Sequence, residues 1–156
     1  MVHAPAGART VVLCSTIAPH DTVRLAAGLA NHGIACVDAP ISGGPLRARA
    51  GAMSMMIAAP AATLAPWQAV LADLAEKRFV VGTAIGDAAK AKLVNNLLAG
   101  VNLVAGAEAL ALSAKLGLDP RAMYELIRAS SGASWVFEDR MARALDEDYT
   151  PPRAAA

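Results

Sequence analysis

From Asp87 to about Leu116, apolar residues recur at helical spacing for about 30 positions without a proline, until Gly117 ends the run. As one helix this is ~45 Å long at 1.5 Å per residue, so a single rigid rod begins just past the middle of the chain. Its stretch Leu93 to Leu112 has about the length needed to span a bilayer, but Asn95, Asn96, Asn102 and Glu108 interrupt it. The expectation is a buried helix of a soluble protein, with no membrane partner.

Ahead of Gly82 the pattern differs. Thr10-Val11-Val12-Leu13-Cys14, Ile34 to Asp38, Met53 to Ala59 and Arg78-Phe79-Val80-Val81 read as short strands. Between them, Val23 to His32 after Asp21-Thr22, and Ala61 to Ala75 with Pro66 near its start, read as helices. Ser42-Gly43-Gly44-Pro45 reads as a loop that regular structure would not tolerate. Fully apolar strands alternating with helices predict an α/β layer, its partial parallel or mixed sheet covered on both faces. Beyond the long helix, Asp119-Pro120 supplies an N-cap followed by proline at the first helical position, starting a helix to about Ala129. Ser130-Ser131-Gly132 breaks it, and a further helix runs to about Leu145. The change of period predicts two parts, an α/β part over 1–85 and an all-α lobe over 86–156.

Composition removes several function classes. The 156 residues are 56% hydrophobic and 17% charged with a net charge of +1, which excludes wholesale disorder and gives no basic field for nucleic acid or an anionic membrane. Aromatics make up 4% and alanine fills 38 positions, so a tightly packed, shallow core is expected. Cys14 and Cys36 sit in apolar runs without C-x-x-C or a neighbouring histidine, and His3, His20 and His32 share no ligand spacing. Free thiols in a reducing cytoplasm and no metal site are expected. Met1 to Pro5 lacks the charged and apolar regions of a secretory leader, the tail from Pro151 is expected to fray, and Trp67 and Trp135 read as packing residues.

Three polar clusters stand where packing alone does not ask for them. Ser42-Gly43-Gly44 follows a predicted strand; two glycines let successive N–H groups turn toward a carboxylate or phosphate, and Ser42 adds a hydroxyl, although an ordinary tight turn has the same residues. Lys92 and Asn96 are spaced i, i+4 on one helix face, with Asn95 at i+3. A lysine stem walled by Ala88, Leu93 and Val94 is suited to proton transfer through a pKa lowered by desolvation; a snorkelling lysine beside two capping amides is the competing reading. Lys90 lies on the opposite face, toward solvent. Ser15-Thr16, at the end of the first strand, either touches a cofactor or caps the next helix.

Taken in order, Ser15-Thr16-x-x-Pro19, Asp38-Ala39-Pro40-Ile41-Ser42-Gly43-Gly44-Pro45 with Ala48 and Gly51, Gly86 six residues before Lys92, Lys92-Leu93-Val94-Asn95-Asn96, Gly117-Leu118-Asp119-Pro120 and Ser130-Ser131-Gly132-x-Ser134-Trp135 resemble the β-hydroxyacid dehydrogenases. That family includes 3-hydroxyisobutyrate, tartronate semialdehyde and threonate-type dehydrogenases; the resemblance runs from about Thr10 to Asp148. It implies an incomplete Rossmann-like sheet, the C-terminal half of a dinucleotide-binding domain, followed by an incomplete helical domain with one long helix. It further implies NAD or NADP as cofactor and a small 3-hydroxy acid as substrate. Lys92 is similar to the family's acid/base for the substrate hydroxyl. Ser42, Gly43, Gly44 and Asn96 are similar to the groups holding the substrate carboxylate and hydroxyl, and Thr16 to the residue beside the nicotinamide. Ser42, Gly43 and Gly44 are then expected to face Lys92 and Asn96 across one cleft.

Departures from the family pattern are equally visible. No G-x-G-x-x-G fingerprint for the pyrophosphate exists in the chain. The family's later lysine–aspartate motif is missing, Ala88 replaces a usual glycine, and Thr83-Ala84-Ile85 is one residue longer than common. An alternative from another class is a catalytically silent remnant that serves as a helical oligomerisation module, because a long apolar helix calls for a partner surface and a homo-oligomer through the helical lobe. The phosphogluconate dehydrogenases are a third reading, disfavoured by the shortness of the helical part.

Overall fold

The computed structural model describes residues 9–150. The expectations about His3, the N-terminal leader and the tail from Pro151 lie outside the described residues. These divide into two compact units that meet between Val94 and Asn95; the boundary expected at 85/86 corresponds to the start of the long helix.

The first unit is a mixed α/β layer. Strand β1 (Arg9–Leu13) runs parallel to β2 (Ile34–Asp38), in register from Arg9 opposite Ile34 to Leu13 opposite Asp38. The crossover is α1 (Pro19–Ala30), which begins earlier than the expected Val23 because Pro19 sits in its first turn, where no amide hydrogen is needed. Strand β4 (Ser54–Ala58) pairs antiparallel with β2 through Asp38 opposite Ala58, and with the short β3 (Ile41–Ser42) through Ile41 opposite Met55 and Ser42 opposite Ser54. These pairs share one register, and the Met56 N–H donates to the Pro40 carbonyl at 3.0 Å. Thus β2 and β3 form one strand, interrupted only at Ala39-Pro40. Strand β5 (Lys77–Gly82) closes the other side of β4 in parallel.

Two local expectations change. Ser42-Gly43-Gly44-Pro45 is more regular than a loop: Ser42 ends β3, and α2 (Gly44–Arg49) starts immediately after, with Pro45 in its first turn. Gly43, at φ +129°, makes the abrupt change of direction that a side chain would resist. The single helix expected over Ala61–Ala75 is broken into α3 (Ala61–Leu64), a 3₁₀ turn (Ala65–Trp67) and α4 (Gln68–Leu74). Pro66 has no N–H for the helical ladder, and the chain tightens there.

Val37, Met55, Ile57, Leu64 and Leu71 build the core of this unit with Ala39, Ala59 and Ala75; Trp67 packs on it, as expected. Coverage of both faces does not extend to β5, where Phe79, Val80 and Val81 remain exposed. As an edge strand, β5 has its neighbour on one side only.

The second unit is helical, and α5 (Asp87–Lys115) enters it as an unbroken rod. Helix α6 (Pro120–Arg128) is capped by Asp119, whose carboxylate accepts from the Arg121 and Ala122 amides, and α7 (Trp135–Leu145) by Ser134, which accepts from Phe137 N–H at 3.0 Å. Leu110, Phe137 and Met141 are buried among Met123, Tyr124, Ile127 and Leu145. The Tyr124 and Phe137 rings stack at 5.6 Å. The buried helix expected over Leu93–Leu112 is instead largely exposed: Val94, Leu97, Leu98, Val101 and Val104 all lie more than half open, with Leu97 at 71%. The core engages α5 around Gly106 and Leu110, where Phe137 and Met141 pack. By length and composition alone α5 could also cross a membrane.

Candidate active site

The site begins with an acid that the strand pattern hides. Asp38 closes an otherwise apolar β2 and is 1% exposed. A buried carboxylate is costly unless it is hydrogen-bonded, and this one is. Its Oδ2 accepts from the N–H of Gly86 at 2.9 Å and from the N–H of Ala89 at 3.1 Å. These are the amides just before α5 and at its third residue, two of the donors that a helix start leaves without intrahelical partners. Asp87, the acid nearest in sequence, serves another purpose: its Oδ1 accepts from Lys90 Nζ at 3.0 Å in a surface ion pair that holds its carboxyl below the ordinary range.

One turn beyond Ala89 stands Lys92. It is 7% exposed, whereas the Lys90 side chain is 67% exposed. No carboxylate among the described residues lies within ion-pair distance of its amine. Desolvation pushes the Lys92 pKa below the ordinary lysine value. Ala88, one turn earlier and fully buried, leaves room for the stem on this face. A lysine whose stem is buried and whose amine has lowered proton affinity gives up its proton more readily than a hydrated lysine does, the direction that acid/base work requires.

Ser42 lies four residues beyond Asp38 in the chain, across the Ala39-Pro40 interruption, and Lys92 lies three residues beyond Ala89 along α5. Ser42 and Gly43 are partly exposed and Gly44 is open. A Cβ on Gly43 would stand 2.9 Å from both Cβ and Cδ of Arg47, so the Arg47 stem lies directly over this backbone. Thr16 is exposed just past the C-terminal end of β1, the end at which parallel sheets receive ligands. Asn96 belongs to the second unit. It is exposed, its Oδ1 accepts from Asn95 Nδ2 at 3.4 Å, and it borders an open groove of about 550 Å³ along Leu97, Gly100, Val101 and Val104.

The motif that contains Asp38 suggests no role for it. An acid ending an apolar strand was the available signal; its partners, 48 and 51 residues away, were not. Cys14 and Cys36 are free thiols, and burial pushes both upward in pKa, with the Asp38 carboxylate adding to the effect at Cys36.

Comparison with known proteins divides the chain between residues 82 and 86, just ahead of α5. Residues 2–82 match the family model described as the NAD binding domain of 6-phosphogluconate dehydrogenase. Residues 86–156 match the model described as NAD-binding of NADP-dependent 3-hydroxyisobutyrate dehydrogenase. L-threonate dehydrogenase of Cupriavidus necator is 43% identical over 143 residues, 92% of this chain and 48% of its own length. 3-Hydroxyisobutyrate dehydrogenase of Pseudomonas aeruginosa is 40% identical over 130 residues, 83% of this chain and 43% of its own. The crystal structure of a 3-hydroxyisobutyrate dehydrogenase from Salmonella typhimurium superposes with a TM-score of 0.85 at 36% identity, covering 91% of this chain and 50% of that one. The chain thus spans about half the length of the curated relatives it matches. With an α/β sheet, a long helix, the ordered motifs and these matches in agreement, the chain belongs to the NAD(P)-binding β-hydroxyacid dehydrogenase family.

Proposed function

We propose that this chain carries the acid/base and substrate-side residues of an NAD(P)-dependent dehydrogenase that oxidises a small 3-hydroxy acid. The observation that carries the reading is Lys92: a largely buried side chain, without an ion-pair partner among the described residues, its pKa lowered by desolvation, on a helix turn anchored to the sheet. Neutral Lys92 Nζ accepts the hydroxyl proton as the carbonyl forms, and in the reverse direction the ammonium returns it. Ser42 and the amides of Gly43 and Gly44 hold the substrate carboxylate, and Asn96 holds the hydroxyl. The nicotinamide, when bound, accepts the hydride.

Thr16 fits the nicotinamide end of such a cofactor, being an exposed hydroxyl residue at the C-terminal end of β1. The pyrophosphate end has no glycine-rich turn to receive it in this sequence. Turnover is therefore expected when the chain is joined to a relative's G-x-G-x-x-G half, and not from the 156 residues alone. L-threonate and 3-hydroxyisobutyrate, the substrates named for relatives, are the compounds to try, with nicotinamide reduction as the readout. If the joined enzyme binds NAD(P) and its Lys92→Ala form turns over as fast as the parent, the assignment is wrong.

Exposed Leu97, Val101 and Val104 favour a second reading, a catalytically silent module that associates with copies of itself through α5 in the second unit. Calorimetric titration with NAD and NADP together with sedimentation separates the two, since a silent module assembles but leaves both nucleotides unbound even when the glycine-rich half is supplied. The cytoplasm is the compartment that suits reduced Cys14 and Cys36.

A further inference from the structure

We infer that Asp38 is the positioning residue for Lys92: from the end of β2 it caps α5 across the fold and so fixes where the amine stands. This inference rests on the reading of Lys92 as the acid/base.

The geometry is that of a capping box supplied from outside the helix. In a local capping box the N-cap side chain serves the amide at the third helical position, and the side chain at that position returns to the N-cap amide. Here one carboxylate oxygen serves both, Gly86 N–H at 2.9 Å and Ala89 N–H at 3.1 Å. Neither Gly86 nor Ala89 has a side chain able to do so, and Asp87 is committed to Lys90. Gly86 completes the fit. Its φ of +101° is a conformation that side chains rarely adopt, and an added Cβ would stand 3.1 Å from Val23 Cγ2 and 3.5 Å from the Pro19 carbonyl. The first turn of α5 is thus held at one place against the sheet, and Lys92 follows Ala89 by three residues.

Asp38 acts through these two hydrogen bonds and is not the lysine's ion-pair partner, since no carboxylate among the described residues lies that close to Nζ. Position and charge therefore predict opposite results. If Asp38 mattered through its negative field, removing the charge would lower the Lys92 titration midpoint further. If it matters through position, losing the cap lets the turn open and hydrates the lysine more fully, and the midpoint rises toward that of ordinary lysine. Asparagine separates the two, because its side-chain oxygen can accept both N–H groups without the charge.

The test is carried out on the whole 156-residue chain by NMR, following the titration of the Lys92 side chain and amide exchange at Gly86 and Ala89. For Asp38→Ala we expect the midpoint to rise and both amides to lose protection by about 2- to 30-fold, the range for a lost helix cap. For Asp38→Asn we expect midpoint and protection to stay near the parent values. Gly86→Ala leaves the carboxylate intact but disturbs the amide it receives; it should reproduce the Asp38→Ala shift and supplies the test if Asp38→Ala does not fold. The inference is overturned if the Ala and Asn variants of Asp38 behave alike, or if Gly86→Ala leaves Lys92 unmoved. None of these readouts depends on turnover. A catalytically idle Lys92 would show itself separately, in the joined enzyme, as a Lys92→Ala form of undiminished kcat.

Discussion

Replacing Lys92 with methionine should stabilise the protein while removing its chemistry. Methionine matches the length of the lysine stem without the amine, and the site it would fill is only 7% exposed, with no acid among the described residues close enough to pair. Partly desolvating a polar group in such a place costs about 0.5–2 kcal/mol, so a gain of that order is expected at neutral pH, each kcal/mol worth ~4–8 °C in a unit of this size. The pH dependence comes from the sign of the shift. Burial lowers the folded-state pKa of Lys92, so between that value and the unfolded one the unfolded chain binds more protons, and parent stability rises with pH. The penalty is fully present below the folded pKa and relieved as pH climbs through the unfolded value of about 10.4. The advantage of Lys92→Met should therefore be greatest near neutrality and shrink toward about pH 10. Urea melts tracked by Trp67 fluorescence, in a Trp135→Phe background, report this for the first unit, because Trp67 packs on that unit's core. A methionine variant no more stable than the parent at neutral pH, or one whose advantage grows with pH, would refute the reasoning.

In the enzyme completed by a glycine-rich half, Lys92→Ala should lower kcat by at least ~10²-fold, the scale for losing a positioned acid/base, with little effect on nucleotide affinity. Lys90→Ala should be nearly silent there, because its amine only pairs with Asp87 at the surface; the opposite outcome in steady-state assays would mean that the site is in the wrong register. Gly43→Ala forces a side chain into φ +129° and against the Arg47 stem; a loss of about 1–3 kcal/mol in chemical denaturation is expected, with KM for the hydroxy acid raised in the completed enzyme. Phe137→Ala removes the ring that stacks on Tyr124 and packs at Gly106, and should cost about 3–5 kcal/mol, read as early melting of the helical signal.

The parts of this fold that were legible in the sequence are those whose signals are local. Strand β2 falls where its apolar run and the adjoining Ala-Pro place it, and Asp119-Pro120 caps the helix it announces. The break at Pro66 and the immediate start of α2 after Gly43 were harder, because proline and glycine mark a change of direction without fixing the element that comes next. Exposure was misread for α5 and β5. An apolar period shows that a face can be buried, and Val94, Leu97 and Val80 show that a neighbour must still be present to bury it. For the candidate site, the motif order singled out Lys92 over Lys90, and their exposures differ in the same sense. Asp38 was out of reach because its role depends on a pairing 48 residues long.

That separation also bears on how the chain acquires its lysine environment. Helix α5 can form its internal ladder alone, since that requires only neighbours a few residues away, but its first turn gains the carboxylate only after β2 has docked. Closing so long a loop has an entropic cost that precedes any reward from the contact. Folding order therefore carries a chemical consequence. Until β2 has docked, the first turn of α5 lacks its Asp38 acceptor and Lys92 is as hydrated as any lysine of an isolated helix; the desolvation that lowers its pKa comes only with tertiary contact.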